Sequence, residues 1–180
     1  MPDRSRDAER LLAFFRGTNR DDAGRSIETI LSWDDTALEY HHDYIQWLFP
    51  MRVPSSVHPE APILTEEVVQ EFRRDPVLRR TLLRALDRML RFYGLERITG
   101  DGGRCLIRKA ANFAERARNW LHPGNHNHLR LTRILTCLRT LGLPEEARAL
   151  YACLREVAQE YPDRVMPITL RYWERAAVSS

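Results

Sequence analysis

Lysine is nearly missing from this chain: Lys109 is the only one among 28 lysine and arginine residues, so the cationic charge is carried by arginine. Against 25 acids the formal excess is only +3, which gives weak long-range steering and does not by itself imply a polyanionic partner. Cysteine is also scarce. Cys105, Cys137 and Cys153 are odd in number and contain no Cys-x-x-Cys pair, which argues against a disulfide framework. Cys137 and Cys153 fall on the apolar sides of expected helices and read as small buried hydrophobes. No apolar run approaches the roughly 20 residues that a membrane span needs. The opening residues carry charges of both signs and fit neither a secretory signal nor an acid-poor transit peptide, so a cytoplasmic protein is expected. Strand-like alternation and regular repeats are not evident. The glycine-rich stretch 99–103 lacks a Gly-Lys-Ser/Thr ending, and it reads as a turn, with a short extended piece at 104–106, rather than as a phosphate cradle.

What is present is helical punctuation. Ser5 or Asp7 caps a first helix bearing Leu11, Leu12, Phe14 and Phe15, and a second short helix runs over 26–33. Four prolines in the stretch 50–62 make that segment an irregular loop packed across the body. Thr65 caps a helix to about residue 74, and Asp75-Pro76 opens a long one that Gly94 stops. Further helices are expected over 107–121, with Ala110, Ala111, Ala114 and Ala117 on its buried arc, over 127–141, and after Pro144 and Pro167. The expected fold is all-α: a single compact domain, 1–180, of about eight helices.

Its centre is expected at a buried helix over residues 37–49. At the helical period, Leu38, Tyr40, His41, Tyr44, Ile45, Trp47, Leu48 and Phe49 cover more than half of the circumference. The narrow remainder holds Glu39, His42, Asp43 and Gln46 in one polar stripe. On the helix over 127–141, Arg130 projects at the edge of the apolar arc, and a buried guanidinium needs an acid or carbonyl partner. Asp43 and Glu39 are the expected partners.

Two stretches carry a more specific signal. Leu38-Glu39, His42 and the string Tyr44-Ile45-Gln46-Trp47-Leu48-Phe49-Pro50, followed later by His126-Asn127, Leu129-Arg130, Thr132-Arg133-Ile134-Leu135 and Leu141-Gly142-Leu143, closely resemble the conserved region of the opioid growth factor receptor family. Phe92-Tyr93-Gly94 lies between them as in that family, and Arg116, Asn119 and Trp120 resemble its segment before the His-Asn pair. The resemblance covers nearly the whole chain. It implies a receptor-type helical domain; the animal proteins are described as receptors for an enkephalin peptide, associated with the nuclear membrane. The resemblance implies a peptide or protein partner, and the arginine-rich, single-domain form leads us to expect a bacterial source.

Three functions follow as expectations. In the first, a non-enzymatic binding domain, Glu39, His42, Asp43 and Gln46 face His126, Asn127, Arg130 and Arg133 across a polar groove walled by Trp47 and Tyr40 or Tyr44, and hold a peptide, a protein or a small polar ligand. In the second, an enzyme, the Glu39/His42/Asp43 seam works with His126 in acid-base or metal chemistry. Only one Glu-x-x-His motif is present, half of what a helical di-metal site uses, so no metal or cofactor is expected. The third, nucleic-acid binding, needs Arg73, Arg80, Arg84, Arg108, Lys109 and Arg116 on one surface and has no recognised motif behind it.

Overall fold

Residues 4–178 are described in the computed structural model. The chain runs α1 (Arg4–Phe15), α2 (Ile27–Leu31), α3 (Asp35–Tyr40), α4 (Ile45–Leu48), α5 (Glu66–Arg74), α6 (Pro76–Tyr93), β1 (Leu95–Thr99), β2 (Cys105–Lys109), α7 (Phe113–Trp120), α8 (Asn127–Thr140), α9 (Pro144–Glu160) and α10 (Pro167–Val178). It divides into two compact units, Met1–Leu86 and Asp87–Ser180, with the division inside α6.

In the first unit the caps at Thr65 and Asp75 act where the sequence places them, whereas the one expected at Ser5 or Asp7 does not. The Thr65 side chain accepts from the Val68 N–H at 3.3 Å, and Asp75 Oδ1 accepts from the Val77 N–H at 2.8 Å just before Pro76. α1 starts at Arg4, so Ser5 and Asp7 lie inside it. The core is aromatic: Phe14 meets Trp47 at 5.1 Å between ring centroids, and Phe15 meets Phe72 edge-on at 4.9 Å. The proline-rich segment is irregular, as expected, and the Leu64 N–H donates to the Met51 carbonyl at 2.9 Å to close it.

The expected central helix over 37–49 is not continuous. α3 ends at Tyr40, His41 is extended (φ −83°, ψ 136°), and α4 begins only at Ile45. Part of the reason is local. His and Asp are weak helix formers, and the Tyr44 hydroxyl donates to the Leu38 carbonyl at 3.0 Å, satisfying a C-terminal group that helix continuation would otherwise have satisfied. The break also corrects the predicted burial. Leu38, Tyr44, Ile45, Trp47, Leu48 and Phe49 are buried, whereas Tyr40 is 77% exposed and His41 is only partly covered.

In the second unit the all-α expectation gives way to a two-stranded antiparallel sheet in which Leu95 pairs with Lys109 and Thr99 with Cys105. Gly94 ends α6 as predicted, but β1 follows immediately, and 105–109, assigned partly to a helix by periodicity, is the return strand. The predicted helix over 107–121 is thereby shortened to α7. Of its four alanines only Ala117 is buried. Among the described residues there are ten α-helices rather than eight. β2 packs on α9, and α8, α9 and α10 pack on one another, with Leu131, Leu135, Leu138, Leu150, Leu154 and Trp173 buried between them.

Candidate functional site

Helix interruption places the sequence-selected residues of the first unit in two different environments. Tyr44–Pro50 is sealed: Trp47 is 0% and Gln46 5% exposed, and the Gln46 Oε1 atom has no hydrogen-bond partner among the described residues. Trp47 is therefore a core ring whose Nε1–H donates to Asp22 Oδ2 at 3.3 Å, with the Arg10 guanidinium 5.0 Å from its centroid. The other residues turn outward. His42 is exposed beside Tyr40, and Glu39 and Asp43 are half-buried.

What surrounds the break is an aromatic and ionic ledge. The His41 ring stacks on Trp33 at 4.6 Å and meets Tyr40 edge-on at 5.2 Å. Trp33 also carries the Arg25 guanidinium 5.2 Å from its centroid. Arg25 is held by two acids, Nε to Asp21 Oδ2 at 2.6 Å and Nη1 to Asp43 Oδ1 at 3.0 Å. Asp21 is itself fixed, since its Oδ1 accepts from the Ala23 and Arg25 N–H groups at 3.0 and 2.8 Å. Burial works against the charge of Arg25, but the Asp43 and Asp21 bonds outweigh it and hold its pKa above the ordinary value. Burial likewise opposes the charge on Asp43, and the Arg25 bond and charge, helped by His41, keep it below the ordinary carboxylate range. Both groups stay charged, so the ledge has fixed polarity beside two accessible rings.

Sequence reasoning selected Glu39, His42 and Asp43 here, with Tyr40 or Tyr44 as a groove wall, but missed Trp33 and Arg25. The signal for Arg25 was the Asp-Asp-x-Gly-Arg turn ahead of Ser26, which reads as a loop. Only the fold brings its guanidinium to Asp43.

The second unit holds the remaining selected residues at the start of α8. His126 is exposed, whereas Asn127 and Arg130 are buried, with Arg130 Nη1 donating to Asn127 Oδ1 at 3.3 Å. Burial lowers the pKa of Arg133, partly offset by Cys137, and the same burial pushes the Cys137 thiol far up and the Cys153 thiol up to about 11. Thiols held protonated in this way are poor nucleophiles. The start of α8 is tied by Asn125, whose Oδ1 accepts from the Asn127 N–H at 2.8 Å while its Nδ2 donates to the Asn119 carbonyl at 3.1 Å. Among the described residues no group of three or more His, Cys, Asp and Glu side chains is placed to hold a metal ion.

His128 is the buried titratable group here. Its ring lies edge-on to Trp173 at 5.4 Å and Trp120 at 6.3 Å, and Nε2 is 3.0 Å from the Trp120 carbonyl. A carbonyl only accepts, so Nε2 carries the proton, and the buried Nδ1 has no hydrogen-bond partner among the described residues. Burial lowers the His128 pKa below its ordinary 6.5, against the opposing pull of the Trp120 bond. The neutral form is thus favoured in the fold. Its contribution to stability is complete above pH 6.5 and is lost as pH falls through the depressed folded value. The difference in melting temperature between the wild type and His128→Gln should narrow on acidification from pH 7.5 to about pH 5, the range set by ordinary imidazole titration; a difference independent of pH would refute this assignment.

A family model described as the "Opioid growth factor receptor (OGFr) conserved region" matches residues 5–173. The opioid growth factor receptor of Rattus norvegicus is 44% identical over 123 residues, 67% of this chain and 20% of that protein. The Homo sapiens receptor is 42% identical over 123 residues, 67% of this chain and 18% of that protein. The opioid growth factor receptor-like protein 1 of Mus musculus is 38% identical over 122 residues, 66% of this chain and 25% of that protein. The chain thus spans a quarter or less of the length of these relatives. No solved structure matches it.

Proposed function

The chain belongs to the opioid growth factor receptor family, and from that premise we propose that it is a binding domain that holds a peptide or protein partner on the ledge at the α3–α4 break. The observation that carries this reading is Tyr40, a large ring 77% exposed and set against the His41–Trp33 stack rather than packed in the core. Tyrosine, tryptophan and arginine are the residues on which binding energy concentrates. Here the ion network Asp21–Arg25–Asp43 fixes the second ring of the ledge before a partner arrives, which lowers the ordering cost of binding. Glu39 and His42 border the ledge, Asp43 anchors it through Arg25, and the buried Tyr44 ring meets Trp33 edge-on at 5.6 Å beneath it. In the second unit, His126 is exposed at the start of α8 and is a further candidate contact, whereas Asn127 and Arg130 are buried and Arg133 is partly covered.

The family resemblance, which implies a receptor for an enkephalin peptide, makes such a peptide the first probe. Tyr40→Ala should weaken its binding about tenfold or more, the scale of an aromatic hot spot, while leaving stability within about 0.5 kcal/mol because the ring is exposed. Calorimetric titration and urea unfolding of the same variant test both halves. Affinity unchanged by Tyr40→Ala would remove the ledge from the account.

The nucleic-acid alternative draws less support. Arg84 is committed to Glu28 through two 2.7 Å bonds, Arg108 to Glu96 at 2.8 Å, Lys109 to Glu160, and Arg116 Nε to the Phe92 carbonyl at 2.9 Å. Charges already matched within the protein release few counterions on a phosphate chain. No helix among the described residues is long and apolar enough to cross a membrane.

A further inference from the structure

Asp21 and Asp22 are neighbours that serve different places. Asp21 anchors Arg25 at the ledge, whereas Asp22 faces a separate cavity of about 370 Å³. Its charged lining is Arg6, Asp7, Arg10, Asp22 and Glu60, and its apolar wall is formed by Pro54, Pro59 and Ile63 from the proline-rich loop.

The walls are pinned to one another before any ligand enters. Arg10 bonds to Asp22, lies 3.7 Å from Asp7 and rests 5.0 Å from the centroid of the buried Trp47 ring. Asp22 in turn takes the Trp47 Nε1–H at 3.3 Å and lies 3.6 Å from His58 Nε2. Asp7 Oδ2 accepts from the Ile63 N–H at 3.4 Å and so fastens α1 to the loop. The cavity is preorganised, and its volume lies near the lower end of the roughly 300–1,000 Å³ typical of small-ligand pockets.

Size and charge together select the ligand class. Two guanidiniums and three carboxylates line one small space, so a polyanion meets Asp7, Asp22 and Glu60, and a polycation meets Arg6 and Arg10. A single small molecule carrying both signs meets complementary groups at each end. Each carboxylate has about four lone-pair sites, more than Arg10, Trp47 and the Ile63 N–H fill, which leaves acceptors for an ammonium. Arg10 makes one hydrogen bond among the described residues, to Asp22, and retains N–H donors for a carboxylate, the acceptor that a guanidinium fork matches best. We propose that this cavity binds a zwitterionic α-amino acid with an apolar side chain. Its ammonium lies toward Asp22 and Glu60, its carboxylate toward Arg6 and Arg10, and its side chain against Pro54, Pro59 and Ile63. This site is distinct from the peptide ledge and does not depend on it.

The test uses the full chain and three probes: L-leucine, N-acetyl-L-leucine and L-leucinamide. Binding is read from the Trp47 indole N–H resonance, which reports on Asp22 directly. L-leucine should shift that resonance saturably, and blocking either end should weaken binding about tenfold or more, the loss of a charge-assisted pair. Glu60→Gln, at an exposed position, should weaken L-leucine binding severalfold without changing the melting temperature, so the outcome does not hang on Arg10 or Asp22 variants that disturb the core. The absence of a saturable shift with L-leucine, equal binding of either blocked probe, or L-leucine binding unaffected by Glu60→Gln would each overturn the proposal.

Discussion

Trp47→Ala is expected to cost about 3–5 kcal/mol, the range for deleting a large buried aromatic, and to unfold or nearly unfold the first unit rather than merely weaken a ligand. The ring is 0% exposed and packs against Phe14. Its N–H holds Asp22, and its face carries Arg10, so truncation opens a cavity and releases two charged groups at once. Trp47→Phe retains an aromatic ring and loses the N–H to Asp22, and it should cost about 1.5–3 kcal/mol, the scale of one lost hydrogen bond to a charged group. Urea unfolding followed by circular dichroism separates the two. A Trp47→Ala protein as stable as the wild type would place the ring outside the core and return it to the binding surface.

The second large effect is expected at Gly94, between α6 and β1. Its φ is +75°, and a Cβ there would stand 2.8 Å from the Phe113 Cα and 2.9 Å from the Arg116 Cβ. The first of those atoms is backbone and has no room to move. A left-handed non-glycine residue costs about 1–2 kcal/mol, and overpacking adds about 1–3 kcal/mol. Gly94→Ala should therefore destabilise the second unit by several times thermal energy. The neighbouring contacts explain why. Arg116 Nε donates to the Phe92 carbonyl at 2.9 Å, and Trp120 Nε1 donates to the Tyr93 carbonyl at 3.0 Å. α7 thus clasps the Phe92-Tyr93-Gly94 turn backbone to side chain, and the alanine methyl would push that clasp apart. Unchanged thermal unfolding of Gly94→Ala would contradict this close approach.

The caps, breakers and family motifs of this chain were legible in its sequence because each acts over a few residues. Thr65, Asp75-Pro76, Gly94, Pro144 and Pro167 mark element boundaries through hydrogen bonds and dihedral restraints that the local chain determines. The Phe92-Tyr93-Gly94, Arg116 and Trp120 signals likewise resolve into one packed turn. The interruption at His41–Asp43 was hidden for the opposite reason. Leu38, Tyr44, Ile45 and Leu48 give the same apolar arc whether one helix or two short ones carry them, and the weak helix formers at the break are joined by Arg25 on Asp43 and Trp33 on His41, contacts from outside the segment that helical periodicity does not register. Beyond the short extended piece expected at 104–106, which overlaps β2, the hairpin was hidden because its strands bury little on their own account. Among the residues of β2 only Ile107 is buried, so period-two alternation barely shows, and pairing together with packing on α9 supplies what the pattern lacks. Of the candidate site, Glu39, His42 and Asp43 were found by their spacing on a helix that does not continue through them. Tyr40 is expected as a groove wall, but its degree of exposure was hidden because an aromatic on an apolar arc reads as core, and Trp33 was missed because it lies at the end of the short helix expected over 26–33, outside the spacing of Ile27, Ile30 and Leu31.

The central claim is that the α3–α4 break turns one part of a conserved-looking apolar string outward as a binding ledge and seals the other part in the core. One titration tests it most directly: an enkephalin peptide added to isotopically labelled full-length chain, with the Trp33 and Trp47 indole N–H resonances followed together with the backbone signals of residues 39–43. The ledge predicts that Trp33 and the Tyr40–Asp43 amides shift saturably with one dissociation constant while the Trp47 indole stays in place. Saturable shifts confined to Trp47 and its core neighbours, or to the second unit, with Trp33 and Tyr40 unmoved, would contradict it.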